Sequence, residues 1–367
     1  MKITCLKSEL LKSINISLKA VPVRSTMPVL ECILIDATHN DIRFITNDME
    51  MGIETIVQGR IEEPGIIAIQ AKMLSDIVRK LPDNNVTIAS DASYNVTIRC
   101  EKAKFSLSGD SGEDFAYLPE IERDSCVMIS QLALRQVILQ TIFSIASGDT
   151  NKLMTGELFE IKGDRLRVIS LDGHRISIRR VELKESNEDR KVIVPGKTLN
   201  EICKILTGDH DDMVNIFITR NHILFELENT TIVSRLIEGE YFAVDQMISG
   251  DYETKVVVRR QTFMNCIDRA TLFVKEGDKK PIILNFTEGN CNLNIESPLG
   301  AMNEDIDIDM EGKPLMIGFN PRFMIDALKA IDDEEITLYL TNAKSPCFIK
   351  DNEESYTYLV LPVNFTR

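Results

Sequence analysis

Within six positions the chain places Asp172, His174, Arg175 and Ser177, in the run VISLDGHRIS (168–177), and farther upstream a Gly-Asp-Ser-Gly run sets Asp110 beside Ser111. These are the residue types that acyl transfer uses: a serine nucleophile, a histidine base and an aspartate that orients the base. Their spacing does not deliver the constellation. A triad needs a histidine within hydrogen-bond reach of the serine and donors for the oxyanion. The four histidines, His39, His174, His210 and His222, sit in no catalytic context, and Ser111 runs straight on into GEDFAYLP. No catalytic residue is assigned. LDGHR reads instead as a shaped loop between two apolar runs, with Gly173 permitting tight backbone geometry and His174 and Arg175 able to fix it by hydrogen bonds.

The elements that must hold such loops recur. AKMLSDIVRKL (71–81), GKTLNEICKIL (196–206) and PRFMIDALKAI (321–331) align without a gap, their starts 125 residues apart. Each has a base second (Lys72, Lys197, Arg322), an acid sixth (Asp76, Glu201, Asp326) and a base ninth (Arg79, Lys204, Lys329). Apolar residues follow at helical spacing: Leu74, Ile77, Val78 and Leu81 in the first copy, Leu199, Ile202, Cys203 and Leu206 in the second. Segments starting at Leu34, Phe159 and Leu284 keep the same register and read as β-hairpins, each a period-2 strand, a polar turn and a second strand. Another helix recurs ahead of them. A period of 125 residues is too long for a solenoid unit and is the size of a domain. The predicted fold class is α+β, three tandem copies of one domain with two helices and antiparallel sheet, over 1–121, 126–248 and 253–367.

Charge follows the same division. Six helical segments (7–24, 71–81, 130–147, 196–207, 259–275 and 321–330) carry 16 basic and 5 acidic residues, a net +11. The whole chain of 367 residues is −15, so the rest carries −26, most densely in MNEDIDIDME (302–311). A basic helix layer with acidic strands suits a polyanion met by the helices and repelled elsewhere. No helix-turn-helix, zinc-finger or single-strand stacking signature accompanies it, so contact with phosphates and no base reading is expected. The eight cysteines are scattered, with no Cys-x-x-Cys pair and no zinc spacing, and read as buried apolar residues of a reducing compartment. No metal or cofactor site is read. Without a signal-peptide pattern or an apolar run near 20 residues, a cytoplasmic protein with no membrane partner is expected.

RSTMPVLECILID (24–36), LDGHRIS (171–177), VIVPGKTLNEI (192–202) and YTYLVLPVNF (356–365) together resemble the bacterial sliding-clamp family, the β subunits of DNA polymerase III. The likeness extends over essentially the whole chain. It implies a clamp fold in which two subunits close a ring of six domains, helices inside and sheets outside, around double-stranded DNA. It also implies no catalytic activity and no cofactor.

The resemblance assigns residues as well. Arg24, Lys152 and Lys197 are expected on the inner wall, and the repeat adds Lys72 and Arg322. Phe105 and Leu107 are expected on one side of a homodimer contact, Leu272 and Phe273 on the other. A groove for short glutamine- and leucine/phenylalanine-containing partner peptides is expected from Met154, Leu171, Gly173, His174, Arg175, Ile176, Phe242, Met247, Pro346, Leu359, Val360, Leu361, Pro362 and Val363. The implied partners are the replicative polymerase, an ATP-driven clamp loader and other proteins with the clamp-binding motif. The chain departs from the family pattern after EGEY, where Phe242, Ala243 and Val244 replace the usual Pro-Asp-aromatic, and at Gln246, where an arginine is common. A protein-only scaffold using the same groove without DNA is the alternative.

Overall fold

Each second helix of the repeat starts where the alignment puts it, at residues 71, 196 and 321. The computed structural model describes residues 1–148, 151–248, 250–275 and 280–365. Among them are six α-helices: α1 Lys7–Ser17, α2 Ala71–Lys80, α3 Gln131–Thr141, α4 Gly196–Ile205, α5 Arg260–Thr271 and α6 Pro321–Ala330. Periodicity decides what each buries. Leu74, Ile77 and Val78 of α2, Leu199 and Ile202 of α4, and Met324, Ile325 and Leu328 of α6 are all buried. Cys203, expected on the α4 stripe, is only half-buried at its edge. Side chains seal the helix ends. Gln70 Oε1 accepts from Met73 N at 2.6 Å, and Asn320 Oδ1 accepts from Arg322 N at 3.0 Å, with Pro321 at the position where a missing N–H is harmless.

The first residue of each leading helix bonds to backbone at or just beyond the end of a second helix, twice as a donor and once as an acceptor. Lys7 Nζ donates to Leu81 O at 2.5 Å, just past the end of α2. Arg260 donates to Leu328 O at 3.2 Å and Asp333 O at 2.8 Å, at the end of α6. In the middle copy a neutral residue stands there, and Gln131 Oε1 accepts from Gly208 N at 2.9 Å. Cations at helix C-termini satisfy orphan carbonyls and oppose the negative end of the helix dipole.

The molecule divides into two compact units, Met1–Gln131 with Lys204–Leu236, and Leu132–Cys203 with Ile237–Arg367. The first holds a five-stranded sheet, with Asn85–Ser90 central and Ala103–Ser108 at one edge, and an eight-stranded sheet. That larger sheet takes four strands from each of two copies, joined where Thr230–Arg235 pairs antiparallel with Met51–Val57, Ser234 opposite Met51. The second unit holds a four-stranded sheet edged by Gly300–Asp307 and a seven-stranded sheet. Its copies are joined where Tyr356–Val360 pairs with Arg175–Pro195, Leu359 opposite Ile176. All the pairings are antiparallel, as the hairpins require.

The first and third hairpins form as expected, with Leu34 opposite Ile45 and Leu284 opposite Leu293. The middle one also folds back on itself: Glu160 and Arg167, on its two arms, form an ion pair at 3.2 Å, and Glu157 and Ser170 both lie against Thr141. Gly163, at φ +56°, sits at the turn, and the two arms pair with different parts of Arg175–Pro195. The Asp110–Ser111 stretch that looks like a protease motif is a strand bridge. Asp110 N and O exchange hydrogen bonds with Ala68 at 2.9 and 3.0 Å, and Ser111 Oγ accepts from Glu113 N.

One charge-bearing side chain lies against this logic. Glu157 is fully buried, and neither carboxyl oxygen has a hydrogen-bond partner. Thr141 lies beside it, yet its hydroxyl is committed to Val137 O at 2.8 Å. Burial therefore pushes the Glu157 carboxyl well above the usual range. A neutral buried acid contributes full stability at low pH, and that contribution is lost as pH rises above the unfolded-state value. We expect the stability of wild type to fall relative to Glu157→Gln by up to about 1.4 kcal/mol per pH unit above about pH 5. Denaturant titrations across pH measure this; a pH-independent difference would refute a neutral Glu157.

Candidate peptide groove and basic helix face

Asp172 builds the LDGHR loop. Its Oδ1 accepts from His174 N at 3.0 Å and Arg175 N at 3.2 Å, and Gly173 takes φ +86° between them. A Cβ on Gly173 would meet nothing within 4 Å, so the glycine answers to backbone conformation and not to crowding. Arg175, 9% exposed, ties the loop to its surroundings. Its guanidinium donates to Asp172 Oδ2 at 2.9 Å, to Asp326 Oδ2 of α6 at 2.6 Å and to Phe143 O at 2.5 Å. It also lies 4.3 Å from the Phe323 ring centroid. Arg175 is expected both to fix this loop by hydrogen bonds and to line the groove; the structure gives it the first part, its charge spent behind the loop where two carboxylates, a carbonyl and an aromatic face converge.

An apolar cluster lies next to this loop. Leu171, Ile176 and Leu359 are buried in it with Val244 and Phe348, and Met154 and Phe242 pack against it half-buried. Gly173, His174, Met247 and Leu361 are exposed, and Pro346, Pro362 and Val363 are intermediate. Met247 and Leu361 show 47% and 39% of their surface to solvent, large fractions for such side chains. The C-terminal segment is held in place by backbone: Leu361 N donates to His174 O and Val363 N to Gly318 O, both at 2.8 Å. Val360 does not join the groove. It alternates with Leu359 along the strand and is buried in the core of the third copy. Sequence reasoning missed Leu153, Tyr241, Val244 and Phe348. The period-2 alternation of CFIK was the signal available for Phe348. The Tyr241 hydroxyl donates to Ile169 O at 3.4 Å, and its ring meets Phe242 edge-on at 5.6 Å.

Of the bases expected to face a polyanion, Arg24, Lys72, Lys152, Lys197 and Arg322 are all exposed. Lys72, Lys197 and Arg322 each occupy the second position of their helix. Lys7 and Arg260 are bound to carbonyls, and Arg269 pairs with Glu304.

Two edge strands differ in sign. Ala103–Ser108 carries Lys104 beside Phe105 and Leu107, of which Phe105 is exposed and Leu107 half-buried. Gly300–Asp307 carries Glu304, Asp305 and Asp307. Near it Leu272 is 75% exposed at the end of α5, and Phe273 lies over Gly300, where a Cβ would come within 2.9 Å of the ring. Unpaired edges with apolar neighbours are the ordinary raw material of strand-to-strand association.

Sequence profiles of the DNA polymerase III beta subunit match the chain in three parts: the N-terminal domain at residues 1–119, the central domain at 128–242 and the C-terminal domain at 245–364. Among similar proteins, the beta sliding clamp of Staphylococcus epidermidis is 32% identical over 99% of both chains, and that of Staphylococcus aureus 31% over the same share. Among solved structures, a putative DNA polymerase III beta subunit from Eubacterium rectale is 63% identical with a TM-score of 0.97, covering 100% of this chain and 99% of that one. The DNA polymerase sliding clamp from Bacillus subtilis is 33% identical with a TM-score of 0.96, covering 100% of both.

The Arg175 contacts lead to a stability test. Arg175→Ala leaves Asp172 and Asp326 without their cation and should cost about 2–4 kcal/mol. Arg175→Lys should recover little, because an ammonium cannot reproduce a planar fork of donors. His174→Ala, on an exposed side chain, should stay within about 0.5 kcal/mol of wild type. Urea denaturation measures all three, and a wild-type midpoint for Arg175→Ala would remove the tie from the account.

Proposed function

The chain belongs to the DNA polymerase III beta subunit family, the bacterial sliding clamps, and from that membership we propose how its parts act. It is a DNA sliding clamp, a processivity factor without catalytic activity of its own. Two copies close head to tail into a ring, the edge at Phe105 and Leu107 meeting the edge near Leu272 and Phe273 of the other copy. Opposite charge on the two edge strands supports that pairing. The ring holds double-stranded DNA, and Arg24, Lys72, Lys152, Lys197 and Arg322 contact phosphates without reading bases. Such contacts are labile and screened by salt, so the ring slides. Retention is topological, since leaving circular DNA requires opening an interface.

The groove beside LDGHR receives short motifs of the replicative polymerase, an ATP-driven clamp loader and other partners. Apolar anchors would fill the space between Met154, Phe242, Met247 and Leu361, and a tethered polymerase then meets the primer end at high effective concentration. Gln246 and Val244, exposed and buried respectively, shape the wall where the chain departs from its family. The protein acts in the cytoplasm; among the described residues no helix is long and apolar enough to cross a membrane. The observation that carries this reading is the threefold match, in order, of one domain type whose second helix bears an exposed base at the same position each time.

In solution the native mass should be twice the 41.5 kDa of the chain. Loaded protein should persist on nicked circular DNA and leave once the DNA is linearised; equal loss from both forms would exclude a closed ring. Glu substitutions at Lys72, Lys197 and Arg322 together should weaken DNA association at least about tenfold and flatten its salt dependence, as expected when phosphate contacts are removed.

A further inference from the structure

The groove beside LDGHR has a counterpart one repeat earlier. The junction strands of the first unit pair in the register of the second shifted by 125 residues on both strands: Met51 faces Ser234 as Ile176 faces Leu359, and Gly52 faces Val233 as Ser177 faces Tyr358. The turn before the strand is built alike. Asn47 Oδ1 accepts from Met49 N at 2.7 Å, and Asp48 Oδ1 accepts from Glu50 N and Met51 N at 3.0 and 2.7 Å. A cleft of about 280 Å³ opens there, lined by Met49, Met51, Tyr117, Leu118 and Pro119. Shifted by 125, Met49 and Tyr117 fall on His174 and Phe242, both assigned to the groove. Met49 and Tyr117 are 46% and 52% exposed, and Leu118 forms part of the wall by lying over Gly52, where a Cβ would come within 1.9 Å of its methyl.

The charged end is where the two clefts part. Arg175 has become Glu50, and Val360 has become Arg235. Both line the cleft and are exposed, Arg235 N donates to Glu50 O at 2.9 Å, and neither side chain has an ion-pair partner among the described residues. A carboxylate and a guanidinium lining one cleft offer an acceptor and a donor to a segment bound there. A carboxamide matches both at once, its NH2 donating to Glu50 and its oxygen accepting from Arg235, whereas a charged side chain would be repelled by one of the two. We propose that this first-junction cleft is a second peptide site, taking a short partner segment that carries a glutamine and a leucine or phenylalanine anchor. The proposal rests on the groove reading above for the class of peptide, and on the cleft itself for its place.

Methionines report on the two sites separately: Met49 and Met51 at the first, Met154 and Met247 at the second. The probe is the neutral peptide acetyl-Gln-Leu-Ala-Leu-Phe-amide, titrated into the full dimer labelled at methionine methyls. Saturable shifts of Met49 and Met51 are expected, weakened at least about fivefold by Glu50→Ala or by Arg235→Ala, while the Met154 and Met247 response is unchanged. Replacing glutamine by glutamate in the probe should weaken the first site. Both variants alter exposed side chains and leave the junction backbone pairing in place. Met49 and Met51 signals that stay still at millimolar peptide, or that respond in both variants as they do in wild type, would overturn the second site. Silence of Met154 and Met247 with movement of Met49 and Met51 would sink the groove reading and leave this one standing.

Discussion

Backbone pairing between consecutive copies is the constraint on which the other features depend. The copies are not beads on flexible linkers. Thr230–Arg235 hydrogen-bonds to Met51–Val57, and Tyr356–Val360 to Arg175–Pro195, so each junction is the interior of a sheet. A sheet interior cannot slip by one residue without turning every side chain to the other face. The junction loops are therefore rigidly placed, and a cleft formed beside such a joint keeps its shape. Surfaces that receive partner segments need that preorganisation, because every side chain ordered on binding subtracts from affinity.

The two junctions show how one scaffold diverges through single positions. At the second, Arg175 reaches Asp326, Phe143 O and the Phe323 ring, and the loop is locked by charge buried behind it. At the first, glutamate stands in the equivalent place, and the turn is held by the side chains of Asn47 and Asp48 bonding their own backbone. The backbone pairing is the same at both. What differs is whether charge is consumed in fixing the loop or left at the surface for something else to meet.

Much of this was legible from residue order. The starts of α2, α4 and α6 follow from the repeat, the buried stripes from helical period, and the LDGHR turn from an aspartate two residues before a histidine with glycine between. What stayed hidden was pairing at a distance. Arg175 finds Asp326 151 positions away, and nothing local marks either residue as half of a pair. Val360 and Leu359 are both apolar, and only the pleat says which joins the cluster beside LDGHR and which the C-terminal core. Junction strands have the same alternating pattern as any other strand, so the joining of copies leaves no compositional trace. Glu157 is the residue that sequence logic gets most wrong, since a lone acid in a strand ordinarily marks a solvated face.

Charge placement on the second helices carries a further argument. Lys72, Lys197 and Arg322 sit in the first turns of α2, α4 and α6, none of which has an acid in that turn. Helix stability alone favours the opposite sign there, because the N-terminal end of the macrodipole is positive, and a cation at that end costs a few tenths of a kcal/mol. Lys7 and Arg260 illustrate the favourable arrangement, cations brought to helix C-termini by neighbouring segments. A base held three times at that end of its helix is not what helix stability selects; on the proposed reading, the dipole and the side-chain charge attract phosphate at the same end. The repeated local cost is small, and it falls where attraction to a backbone of phosphates, without any reading of bases, is what a sliding ring requires.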